Sequence, residues 1–206
     1  MPEIAGGFVA YRYHELGVRE ETEDALRMIY RASLSLLYKL LFLLYAEARA
    51  LLPVDNPGYR EQSLTKLAQW AAGRLDRQLP LSDAPHAAPR YEALLALFHR
   101  IDRGDPGLGI PRYNGGLFDP SSPENQFLED HRLSDRAVAR SVDILVRDAG
   151  QPVDYGYIGV RNLGAIYEGL LENRLRVIDA PAGRVELIGD KGERKATGSY
   201  YTPDYI

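Results

Sequence analysis

From Val18 to Leu52 the chain contains neither glycine nor proline, so no residue in that stretch interrupts a helix. Its first turns are acidic (Glu20, Glu21, Glu23 and Asp24), which complements the positive end of a helix dipole. Leu26, Ile29, Tyr30, Ser33, Leu37, Leu40, Leu41 and Leu44 recur at helical spacing. Toward its end the stretch is apolar on nearly every side, and a helix of that kind must be surrounded by protein. The pattern predicts one long central helix with a core at Leu37, Leu40, Leu41 and Leu44. Pro53 and a turn at Asn56-Pro57-Gly58 close it. Its most apolar part, from Leu34 to Ala46, carries Lys39 and is shorter than the roughly 20 apolar residues a membrane span needs.

Shorter elements are expected around this helix. One helix fits 62–78, with Leu64, Leu67, Ala68, Ala71 and Leu75 on one face; another fits 90–103. Residues 104–123 carry Gly104, Gly107, Gly109, Gly115 and Gly116 and read as a long loop, of the sort that is functional or mobile. Ser134-Asp135 is a capping signal for a helix over 135–148, and a further helix fits 160–173. The period then changes. Leu175, Val177 and Ile178, the turn Pro181-Ala182-Gly183, and the alternating Arg184 to Ile188 form a β-hairpin. The predicted fold class is mainly α: a multi-helix bundle with one long central helix and a small C-terminal β-hairpin.

Composition narrows the function classes. The absence of cysteine excludes disulfides and thiolate metal sites, and His14, His86, His99 and His131 lack metal-ligand spacing. A net charge of −4 argues against nucleic-acid binding by bulk electrostatics, so any DNA contact must come from a local basic patch. Met1-Pro2-Glu3-Ile4 lacks the basic and apolar regions of a signal peptide. The expected location is cytoplasmic, with no membrane partner.

The last residues are the most informative. Thr202 suits an N-cap, Pro203 the first helical position, and Asp204 the positive end of the dipole. The sequence stops there, after Tyr205 and Ile206, which reads as a cut inside a larger protein.

Four strings carry a family resemblance. They are Leu43-Leu44-Tyr45-Ala46-Glu47, Arg112-Tyr113-Asn114-Gly115-Gly116-Leu117-Phe118, the run from Leu163 to Glu172, and the run from Lys191 to Pro203. Together they resemble the N6-adenine DNA methyltransferases of single-chain type IIG restriction enzymes and related phage-defence systems. The resemblance covers about Leu36 to Ile206, and Gly198-Ser199-Tyr200-Tyr201-Thr202-Pro203 is its most specific part. It implies a helical connector domain over 1–173, then the hairpin and the start of a methyltransferase domain over 174–206. The Tyr-Thr-Pro stretch would be the family's motif X, which packs beside S-adenosylmethionine. Tyr200, Tyr201, Thr202 and Pro203 are the implied cofactor-binding residues. The rest of the methyltransferase domain would lie C-terminal to Ile206, and DNA would be met through the parent protein.

The residues support such a role without completing an active site. A helix N-terminus offers free N–H groups to an anionic ligand group, Thr202 a hydroxyl, and Tyr200 or Tyr201 an aromatic face. The family's Gly-rich turn and its Asn/Asp-Pro-Pro-Tyr motif are missing. Asp105-Pro106-Gly107-Leu108-Gly109 lacks strand–turn–helix context, and Asn56-Pro57-Gly58-Tyr59 reads as a turn. No catalytic or metal-binding residue is assigned. Asp179 with Glu193-Arg194-Lys195 imitates the acid-x-Lys pattern of nucleases but falls in a charged loop. Lys191, Arg194 and Lys195, with Arg174 and Arg176 on the hairpin, form the candidate DNA-phosphate contact. Two readings result: a connector that completes the edge of a cofactor pocket, and an independent helical protein–protein interaction module without cofactor.

Overall fold

The structure, a computed structural model, describes residues 1–84, 88–113, 115–159, 168–170 and 173–189. It is mainly helical. Helices α1 (Pro2–His14), α2 (Glu23–Ala48), α3 (Pro57–Arg60), α4 (Leu64–Asp76), α5 (Pro89–Arg103), α6 (Pro123–Asp130) and α7 (Asp135–Val146) come first. Two strand pairs complete it: β1 (Arg147–Asp148) with β2 (Gln151–Pro152), and β3 (Asn173–Asp179) with β4 (Arg184–Gly189), both antiparallel.

Helix α2 is the axis of the molecule, touching α1, α4, α6 and β3. Leu37, Leu40, Leu41 and Leu44 are all buried, as their spacing predicts. By length and composition α2 could cross a bilayer, yet most of its apolar window is covered by the protein's own residues. Its bounds are narrower than 18–52. Thr22 caps the start by accepting from the Ala25 N–H at 3.2 Å, and the chain turns at Ala50 in the left-handed region (φ 52°).

The same capping logic sets the other helices. Ser63, Ser122 and Ser134 each accept an N–H of the following turn, starting α4, α6 and α7. The 104–123 loop therefore ends one residue early, because Pro123 opens α6. Helix α7 stops at Val146, since Arg147 and Asp148 are extended and pair with β2. Of the helix expected over 160–173, only 168–170 fall within the described residues, and these are helical.

The hairpin packs against the bundle. Strand β3 turns Leu175 inward, 6 % exposed, and leaves Arg174 and Arg176 outward. At its turn, Gly183 (φ 61°) meets Gly6 of α1 backbone to backbone. A Cβ on Gly6 would lie 1.9 Å from the Gly183 carbonyl oxygen, and no side-chain rotation relieves such a clash. Gly6→Ala is thus expected to cost about 1–3 kcal/mol as α1 and the hairpin separate. Gly73→Ala in α4, where a Cβ meets nothing within 4 Å, should instead stabilise by about 0.5–1 kcal/mol. Urea unfolding of the two variants checks the contrast, and equal effects would mean that α1 and the hairpin do not touch.

Candidate functional site

Two of the four family-like strings lie largely in the described residues, and both serve the frame. In the first, Glu47 is 6 % exposed and takes four hydrogen bonds. Tyr59 Oη and the Leu64 N–H donate to Oε1, each at 2.8 Å. The Thr65 N–H and hydroxyl donate to Oε2 at 2.9 and 2.7 Å. The carboxylate sits on the N-terminus of α4, where free N–H groups and the helix dipole favour negative charge. Burial, with the nearby carboxylate, pushes the Tyr59 phenol well above its ordinary pKa, so it stays a donor. Tyr59 therefore belongs to the core. Asn56 starts α3 by accepting from the Gly58 N–H at 2.8 Å. The near-match to a catalytic Asn-Pro-Pro-Tyr is a capped turn.

The second string, 112–118, is held on α2 by Lys39. Its ammonium, on a residue 2 % exposed, donates to the Leu117 carbonyl and to Asn125 Oδ1, the latter at 2.6 Å. It lies 5.1 Å from the Phe118 ring centre and 5.6 Å from that of Phe98. Phe42 meets Tyr113 and Phe118 edge-on, at 5.2 and 5.3 Å between ring centres. The Tyr113 hydroxyl donates to the Leu51 carbonyl at 2.9 Å. The described part of the long glycine-bearing loop is thus pinned at Tyr113, Leu117 and Phe118.

A third buried network ties α1 to α6. Arg12 Nε donates to Glu21 Oε1 at 2.8 Å, and Arg12 Nη1 lies 3.2 Å from His131 Nε2. Since a guanidinium only donates, Nε2 accepts, and Nδ1–H donates to the Phe127 carbonyl at 2.9 Å. Burial holds the His131 pKa below its usual value, and the Arg12 charge adds to that. Glu21 Oε2 is buried and has no hydrogen-bond partner among the described residues.

A concavity of about 780 Å³ opens between β3 and the start of α2 with the segment leading into it. Its described lining combines apolar Val18, Leu26, Leu34, Val177 and Ile188 with Glu20, Glu21 and Glu23 and five arginines. Arg174 and Arg176 are two of those arginines. Arg176 is paired across the hairpin with Glu186, its register partner. Arg174 is exposed and has no polar partner among the described residues. Asp179 accepts from the Ala182 N–H at 3.1 Å and pairs with Arg184 at 2.5 Å, so it shapes the hairpin turn.

Tyr200, Tyr201, Thr202, Pro203, Lys191, Arg194 and Lys195 lie outside the described residues. Glu193 lies outside them too, as do 163–167 and 171–172 of the third string. Among the described residues no group of three His, Asp or Glu side chains could hold a metal ion. Sequence reasoning missed the jobs of Lys39 and Glu47. The available signal was a pair of charges placed in the otherwise apolar second half of α2. No protein-family model, curated protein or solved structure matches the chain.

Proposed function

We propose that this chain is the helical connector of an N6-adenine DNA methyltransferase, of the kind found in type IIG restriction enzymes and phage-defence systems. The single observation that carries the reading is the string Gly198-Ser199-Tyr200-Tyr201-Thr202-Pro203, which resembles motif X and comes after the other three family-like strings. The connector spans 1–173, and 174–206 supplies the hairpin and the edge of the S-adenosylmethionine pocket. Tyr200, Tyr201, Thr202 and Pro203 form that edge. Catalysis belongs to residues of the parent protein beyond this chain.

The frame supports a positioning role. Glu47 and Lys39 fix α4 and the chain at Leu117 to one largely buried helix, and the Gly6–Gly183 contact fixes the hairpin to α1. The proposed contact with DNA phosphates rests chiefly on Lys191, Arg194 and Lys195, because Arg176 of the hairpin is already ion-paired with Glu186.

Titration of the intact parent enzyme with S-adenosylmethionine tests the reading. Thr202→Ala removes an N-cap worth about 1 kcal/mol, which corresponds to roughly fivefold weaker binding if the cap is coupled to the cofactor. Tyr201→Ala should weaken binding as well. Unchanged affinity in both variants would leave this stretch a structural one and reject the cofactor role.

A further inference from the structure

Among the described residues the outer edge of β3 is unpaired. Among the described residues β3 pairs with β4 alone, and β4 occupies one side only. In an antiparallel pair, alternate residues direct both N–H and C=O away from the partner strand. Among the described residues no backbone hydrogen bond fills those outward groups. The five consecutive residues 173–177 all line the 780 Å³ groove, so the edge faces a space within the size range of binding sites. An unpaired edge of this length is a template for another strand.

The geometry points to β3 as a strand-addition site for an extended acidic–apolar segment of a partner protein. The backbone row selects the class of ligand. It alternates donors and acceptors, which an extended peptide matches and a phosphate chain, offering acceptors only, does not. Side chains select the sequence. An added strand sets alternate residues beside Arg174 and Arg176 on the outer face, and the others beside Leu175 and Val177 on the inner face. Acidic residues suit the first set because Arg174 is exposed and has no partner among the described residues. Apolar residues suit the second, with Leu26 and Leu34 beyond. A second copy of this chain suits the edge poorly, since self-pairing would set the arginine face of β3 beside itself. The inference does not depend on the methyltransferase reading.

The test titrates the full chain with a fluorescent peptide of alternating valine and aspartate, seven residues long to match β3. Saturable binding is expected. N-methylation of the peptide at alternate residues should weaken it more than roughly tenfold when the methylated edge is the one that pairs. Both frames of methylation are made, and one of them must show the loss. Arg174→Glu breaks no hydrogen bond or ion pair among the described residues. It should bind the aspartate peptide on the order of fivefold more weakly, and favour a valine–lysine peptide. Absence of binding, equal binding of both N-methylated peptides, or indifference to Arg174→Glu overturns the proposal. Displacement of the peptide by duplex DNA would assign the face to nucleic acid, and peptide-sensitive dimerisation would assign it to a second copy. Either result also overturns the proposal.

Discussion

Glu47→Ala is expected to cost about 3–5 kcal/mol of folding stability, the range seen when one member of a buried, hydrogen-bonded charge site is removed. The change strips partners from the Tyr59 hydroxyl, from the Leu64 and Thr65 N–H groups and from the Thr65 hydroxyl. Tyr59 is fully buried, so its hydroxyl cannot turn to water. The start of α4 loses its counter-charge at the same time. Glu47→Gln separates the two effects. It keeps the shape but turns one oxygen into an NH₂ group that faces donors, so it too should destabilise, by about 1–3 kcal/mol. Tyr59→Phe should soften the loss in a double variant, because the stranded hydroxyl is then gone. Urea unfolding measures all three. A loss below about 0.5 kcal/mol for Glu47→Ala would place the carboxylate on the surface and undo this account of α4.

Lys39→Ala is expected to cost about 2–5 kcal/mol, since it empties the space between Phe98 and Phe118. It also unties Leu117 from α2. Lys39→Met keeps most of the volume. The remaining acceptors keep a donor each, because Asn125 Nδ2 still reaches the Leu117 carbonyl at 3.1 Å and Ser35 Oγ still reaches Asn125 Oδ1 at 3.0 Å. The methionine variant should therefore be much milder than alanine. Comparing it with the parent across pH isolates the charge. Burial pushes the Lys39 pKa down to about 8 from 10.5, against the pull of Glu129, Asp102 and Glu124. Between those values the unfolded chain binds the proton and the folded chain has released it. Stability from this group thus rises with pH through that window, with a slope approaching about 1.4 kcal/mol per pH unit. Below the window the folded protein carries the full cost of a buried ammonium. Unfolding at about pH 7.5 and about pH 9.0, both below tyrosine's ordinary pKa, should show the parent gaining on Lys39→Met. No change in the difference would mean that the Lys39 ammonium is solvated.

How much was legible depended on what each element asks of the chain. Helix α2 was plain because nothing between Val18 and Leu52 breaks a helix and its apolar positions repeat. Helices α4, α5 and α7 followed from periodicity and from caps such as Ser134. The hairpin followed from alternation around Pro181-Ala182-Gly183. Helix α1 was missed because Gly6-Gly7 sits in its middle. That pair looks like a breaker, whereas Gly6 is small so that the Gly183 carbonyl can approach. Helix α6 was left unassigned after the preceding loop, although Ser122-Pro123-Glu124 is a capping signal.

The candidate site was legible only in its residue types. Lys39 and Glu47 stood out as charges in an apolar helix, but their partners Leu117, Asn125, Thr65 and Tyr59 are set by tertiary packing. Arg174 and Arg176 looked equivalent two residues apart on one strand. Register distinguishes them, because it sets Glu186 opposite Arg176 and Ile188 opposite Arg174. The edge of β3 that is unpaired among the described residues left no mark in sequence, since an unpaired strand reads the same as a paired one.

The central claim is that this chain leads into an adenine methyltransferase domain. Sequencing the gene's reading frame downstream of the Ile206 codon tests it most directly. The account predicts that the frame continues into a strand, a Gly-rich turn and a helix, and then into an Asn- or Asp-Pro-Pro-Tyr motif placed after a strand. A frame that stops within a few codons, or that runs on without either motif, would contradict it.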